Sequence, residues 1–208
     1  VVLLGAQRHR PTLGEAIAEL GITGKIATVT AGWQEREDDD EELSQHLQGR
    51  TVNLGLHARG EEVFRKDKEL LDVHRQRQTI LRHRQDFYRV RLEHALEAQH
   101  VIDQRAAPPS ILEDEARASI DAVRTIDSLH LERCSLDRRE FDARVRPRER
   151  PDIARHCAEL AAIVNDCDAI AIAGGHVASL LNRLRLFGIA ELAKGKPVFA
   201  WCAGAMAI

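Results

Sequence analysis

Between Glu61 and Arg105 the chain contains neither glycine nor proline, and after the break "AAPPS" a second such stretch runs from Ile111 to about Val145. Stretches of that length, rich in Leu, Arg, Glu, Gln and Ala, fit helix and no other regular structure. Two long helices joined through a Pro-Pro turn predict a helical hairpin. This hairpin restricts the rest of the chain, because the sequence on either side follows a different rhythm and must close into one domain around it.

Before the hairpin, Val1 to Leu4 read as a short strand ending at Gly5. In "PTLGEAIAELG", Thr12 and Glu15 are spaced as a capping box, apolar residues fall at 13, 16, 17 and 20, and Gly21 stops the helix. "KIATVTAGW" reads as a second, buried strand. The acidic run Asp38-Asp39-Asp40-Glu41-Glu42 suits a helix N-terminus. As a metal cage it is poor, since consecutive carboxylates on a helix point in different directions. "TVNLGLH" reads as a third strand. After Pro151 come a helix over about 152–165, the strand "DAIAIAGG", the helix "HVASLLNRLRLFGIAELAKG" and the strand "KPVFAW". Strand and helix alternating with short connections predict an α/β fold, a three-layer, mainly parallel sheet with helices on its faces. The expected division is 1–60 and 151–208 for the two parts of the α/β domain, with 61–150 as the inserted hairpin.

The chain of 208 residues is 44% hydrophobic and 30% charged, enough to bury a core and remain water-soluble. Its formal net charge of −3 predicts no general attraction to nucleic acid or anionic membrane. The longest apolar run, 198–208, is too short to cross a bilayer, and no basic-then-apolar leader opens the sequence. Cys134, Cys157, Cys167 and Cys202 show no CxxC spacing, so free thiols in a reducing cytoplasm are expected. Both ends read as trimmed, since the first residues already form a strand and the last follow directly on one.

In doubly wound sheets, ligands bind beyond the carboxyl ends of the strands. Two such ends attract attention: Gly174-Gly175-His176 after "AIAIA", and Cys202-Ala203-Gly204-Ala205 after "VFAW". A nucleophile elbow needs a sharp strand-to-helix turn with small neighbours, because its backbone is strained and helix and strand approach closely. On that reading Cys202 attacks, the N–H of Ala203 and that of Gly175 hold the oxyanion, and Gly174, His176 and Gly204 border the pocket. The competing reading makes Cys202 a buried core cysteine, among the residue types most often found inside. His176 either caps the following helix or lines the pocket.

At these segments, "AIAGGHVASLLNRL" and "PVFAWCAGAMAI", the chain resembles the dipeptidase E and cyanophycinase-type peptidases of the class I glutamine amidotransferase-like superfamily. Residues 165–208 carry the resemblance. That group has a Gly-Gly-Asn-type turn before a Leu-rich helix, then a strand ending in Trp-Ser-Ala-Gly-Ala or a near variant. The resemblance implies a flavodoxin-like fold and hydrolysis or acyl transfer on an amide or peptide bond. It implies no metal and no organic cofactor, and a small-molecule or peptide substrate. This chain differs in carrying Cys202 for the peptidases' Ser, His176 for their Asn, and the helical hairpin. The family's catalytic His follows the nucleophile, so the base is expected beyond residue 208, or else is His176. The alternative function is a non-catalytic binding or assembly module of the same superfamily.

Within the hairpin, Arg-x-Arg recurs every seven residues, at 75/77, 82/84 and 89/91, and seven residues nearly restore direction on a helix. Arg75, Arg82 and Arg89 read as a solvated face. Arg77, Arg84 and Arg91 fall between the apolar rows Val73/Ile80/Phe87 and Leu81/Tyr88/Ala95, where guanidinium groups need partners. Those are expected among the acids of the second helix, such as Glu113, Glu115, Asp121 or Asp127. The alternatives are an anionic ligand or a partner helix, the latter giving a homodimer through the hairpin. Aromatic residues are too scarce for an RNA-stacking surface.

Overall fold

A computed structural model describes residues 1–208. The chain divides into two compact units, an α/β unit of Val1–Asp67 with Pro147–Ile208 and a hairpin unit of Lys68–Arg146.

The α/β unit is built on five parallel strands: β1 (Val2–Leu4), β2 (Ile26–Val29), β3 (Thr51–Asn53), β4 (Ala169–Ile172) and β5 (Val198–Trp201), in the spatial order β1-β5-β4-β2-β3. The register sets Ile26 beside Ala169, Ile170 beside Val198, and Val2 beside Phe199. Every residue of β2, β4 and β5 is buried. Strands covered on both faces read as continuous apolar runs, which is why "AIAI" and "VFAW" do not alternate. On one face Leu13 and Ile17 of helix α1 (Leu13–Glu19) and Leu47 close a core with Ala169, Ala171, Phe199 and Trp201.

Several local expectations need correction. Thr12 does precede α1, but its side chain makes no cap. The Gln7 carboxamide does so instead, its Oε1 accepting from the N–H of Thr12 at 2.7 Å and of Leu13 at 2.8 Å. The second strand stops at Val29, and Ala31–Arg36 turn as 3-10 helix before α2 (Glu41–His46). "TVNLGLH" is strand only to Asn53. Gly55, in the left-handed region at φ +58°, then starts α3 (Leu56–Lys66). The stretch expected as one helix from about Glu61 is therefore two, because the chain leaves helical geometry at Asp67 (φ −108°, ψ 87°). Helix α3 belongs to the α/β unit. In that same unit the Arg150 guanidinium reaches the Asp67 carboxylate at 2.5 Å, tying the residue before the hairpin to one just after it.

The hairpin unit consists of α4 (Lys68–Asp103) and α5 (Pro109–Val145), with Pro109 at the first turn of α5, where a missing N–H costs nothing. Arg75, Arg82 and Arg89 are exposed, as expected of a solvated face. Arg84 is paired, but with Asp137 through a two-pronged contact (2.8 and 3.0 Å) rather than with any of the four acids expected. Asp127 instead accepts from the Tyr88 hydroxyl at 2.9 Å, and Tyr88 stacks on His130 with centroids 4.2 Å apart. Arg77 lies over the Phe141 ring at 4.1 Å. The second apolar row faces the seam, whereas Ile80 and Phe87 of the first stay largely exposed.

The chain returns to the α/β unit through α6 (Pro151–Asn165), then α7 (Val177–Leu186), α8 (Ile189–Leu192) and, after β5, α9 (Ala203–Ala207). The single helix expected before β5 is split in two by Gly188, at φ +66°. No helix is long and apolar enough to cross a membrane.

Candidate functional site

The strand order locates the crevice. From β2 the chain moves outward to β3, whereas from β4 it moves the other way to β5, so the connections diverge between the adjacent strands β2 and β4. Loops leaving such a pair in opposite directions open a crevice at their carboxyl ends. Three loops meet there: the turn after β2, the Gly174-Gly175-His176 segment after β4, and the turn after β5.

Glycine makes this meeting possible. A side chain on Gly32 would overlap the Gly174 carbonyl, and one on Gly175, itself at φ +111°, would overlap Gly32. The Gly32 carbonyl accepts the His176 N–H at 2.7 Å, fastening the first loop to the second. A Cβ on Gly174 would stand 2.7 Å from the Cys202 Cβ, and one on Gly204 would overlap the Ile172 carbonyl. Gly174, Gly175, Cys202, Ala203 and Gly204 are thus one packed group. The sequence reading put them at a common site, and Gly32 joins them.

Cys202 links β5 to α9 with φ 51° and ψ −125°. A non-glycine residue held there stores on the order of 1–3 kcal/mol of strain, which surrounding packing must impose. Its thiol is exposed, so Cys202 is not a core cysteine. No acceptor within the chain takes the N–H of Gly175 or of Ala203, so both donors are unoccupied. The other three cysteines differ. Cys134 and Cys167 are buried, Cys157 is half-buried, and burial pushes all three thiols up from their ordinary value.

His176 acts as the N-cap of α7. Its Nδ1 accepts from the Ser179 N–H at 3.1 Å and lies 2.8 Å from the Ser179 hydroxyl. A ring whose Nδ1 accepts cannot also hold a proton there, so Nε2 is left as its donor. Of its two expected roles, the structure shows the cap.

Gln34 frames the crevice and escaped the sequence reading, as did two buried charged side chains, Glu37 and Arg183. Gln34 has φ 58° and ψ −121°, the same unusual conformation as Cys202, and its Nε2 donates to the Ser179 hydroxyl at 2.9 Å. Glu37 is buried, and its carboxylate caps α3 by accepting from the N–H groups of His57 (2.8 Å) and Ala58 (2.9 Å). Burial raises its pKa above the usual carboxyl range, opposed by those two donors. Arg183 of α7 is buried as well. It donates to Glu61 at 2.6 Å and lies 5.0 Å from the centre of the Phe64 ring. Burial lowers its pKa, with Glu61 acting against the shift. Gly60 leaves the space through which that side chain passes, since a Cβ there would fall 2.6 Å from the Arg183 Cδ.

No group of three or more His, Cys, Asp or Glu side chains is placed to hold a metal ion. What the crevice offers is an exposed thiol on a strained turn, two unoccupied backbone donors and a hydrogen-bonded frame running from Gln34 through Ser179 to His176. The chain matches no protein-family model, and searches of curated proteins and of solved structures find no match to it.

Proposed function

We propose that the α/β unit is a flavodoxin-like domain of the class I glutamine amidotransferase-like type, with its relatives among the dipeptidase E and cyanophycinase-type peptidases. We propose that it uses Cys202 for hydrolysis or acyl transfer on an amide or peptide bond. The observation that carries this reading is the exposed Cys202 at φ 51°, ψ −125°, followed directly by the free N–H of Ala203 and packed against the Gly174-Gly175 turn, whose Gly175 N–H is also free. In this chemistry the sulfur attacks the carbonyl carbon and the electron pair of the C=O bond moves to oxygen, where the two donors hold it. Collapse breaks the C–N bond, the amine leaves with a proton, and water cleaves the resulting thioester. For the proton transfers the resemblance implies a histidine C-terminal to the nucleophile, and none of the residues from Ala203 to Ile208 is one. His176 is poorly suited to that step, because protonating Nδ1 would forfeit the cap of α7.

One observation favours the alternative, a non-catalytic binding or assembly module: no side chain hydrogen-bonds to the Cys202 thiol. The two readings separate on substrate-directed labelling. A peptidyl chloromethyl ketone should alkylate Cys202 faster than it alkylates free cysteine, as located by mass spectrometry, and Cys202→Ala should abolish that label. Labelling no faster than that of free cysteine would show that residues 1–208 do not activate Cys202 by themselves, and would favour the module.

A further inference from the structure

The hairpin unit has almost no core of its own. Its buried side chains are Leu70, His74, Cys134 and Phe141, and between Arg75 and Arg133 no residue is buried. Long helices in water draw most of their stability from packing an apolar face, so a face must still be available for covering. On α4, Ile80, Phe87 and Val101 fall on the heptad series 80, 87, 94, 101. On α5, Leu129 and Leu136 are seven apart. Exposures of 49% for Ile80, 64% for Phe87 and 45% for Leu136 show that these side chains are open to solvent. The two stripes lie on the same side of the hairpin, since Phe87 and Leu129 line one groove of about 160 Å³ together with Arg91 and Arg133.

We propose that this face packs against the same face of a second copy of the chain, so that two hairpins form a four-helix bundle. The available area fits. Ile80 to Val101 spans about 32 Å at 1.5 Å per residue, and two helices side by side are about 20 Å wide. That gives on the order of 600 Å² per copy, approaching the roughly 800 Å² per partner of a standard stable interface. The inference does not depend on the chemistry of Cys202.

Sedimentation velocity on the 208-residue chain at micromolar concentration tests it. Twice the mass of one chain is expected. Phe87→Ala with Leu129→Ala, which keeps helix propensity, should weaken the dimer about tenfold or more. Leu131→Ala, on the opposite side of α5, should leave it unchanged. Far-UV circular dichroism identifies any variant that has lost helix, and Ile80→Gln then serves as the substitute on the same stripe. A monomeric wild type would overturn the proposal and leave the face to a different partner. So would a dimer indifferent to the Phe87 and Leu129 changes, or one abolished by Leu131→Ala.

Discussion

The contact between Gly174 and Cys202 can be tested without any assay of activity. A methyl group at Gly174 would lie 2.7 Å from the Cys202 Cβ, against 3.4 Å from the Ala203 nitrogen and 3.5 Å from the Trp201 carbonyl oxygen. Non-bonded carbons prefer roughly 3.5–4.0 Å. Both carbons are fixed to backbone and neither can rotate away, so Gly174→Ala must push the elbow off its turn, at about 1–3 kcal/mol. Cys202→Gly removes the opposing Cβ. It also relieves strain of order 1–3 kcal/mol at φ 51°, offset by about 0.5–1 kcal/mol for the greater freedom of an unfolded glycine. Alone it should be neutral to mildly stabilising. In the Cys202→Gly background only the 3.4 and 3.5 Å contacts remain for Gly174→Ala, and these are near ordinary distance. The double mutant should therefore be more stable than additivity allows, by about 1–3 kcal/mol. Urea unfolding followed by tryptophan fluorescence is suited to this, because Trp33 and Trp201, the chain's only tryptophans, both report on the α/β unit. Additivity within about 0.5 kcal/mol would refute the reasoning, because the two residues would then not be in contact.

His176→Ala should cost about 1 kcal/mol through loss of the α7 cap, and His176→Asn should recover most of it; equal losses in thermal melts would remove the capping role. Arg84 holds the Asp137 carboxyl below its usual range, so the pair's contribution is complete above the unfolded value of about 3.9 and is lost as pH falls through the folded one. With Arg84 partly in solvent this should amount to no more than about 1 kcal/mol. Asp137→Asn should flatten the corresponding acid-side loss of helicity, and an unchanged profile would contradict the pairing. Burial, then Arg155 and Arg59, lowers the pKa of His156. The unfolded chain therefore binds the extra proton, and stability should fall as pH drops below about 6.5, by at most about 1.4 kcal/mol per pH unit. His156→Gln should remove that slope in urea titrations between neutral and mildly acidic pH, and persistence of the slope would assign it to another group.

Strands β2, β4 and β5 were legible because burial on both faces leaves continuous apolar runs, and the turn at Cys202 because small residues follow such a run directly. Gly32 and Gln34 were not legible. Their importance comes from Gly174, Gly175 and Ser179, which reach them only through the pairing of β2 with β4, and nothing local in "TAGWQERE" announces that contact. Gln7 displaced the Thr12 cap for a similar reason, since its reach back to α1 depends on the path of an irregular loop. The partner of Arg84 was not legible by counting. Distance from the turn dismisses Glu113 and Glu115, which lie barely past it, but it points to Asp127, which the Tyr88 hydroxyl takes instead. Neither opposite charge nor distance from the turn singles out Asp137.

The ion pair between Asp67 and Arg150 has a consequence for how the chain tolerates change. It holds together the two points between which the hairpin is inserted, so the α/β unit treats residues 68–146 as a loop whose ends are already closed. The entropy of closing a loop rises only with the logarithm of its length, about 0.6 kcal/mol for each doubling. Lengthening α4 and α5 by whole heptads, or replacing them with a short flexible connection from Asp67 to Pro147, should therefore change the stability of the sheet very little. As far as loop closure goes, variation in the length of this excursion costs the unit that carries Cys202 little.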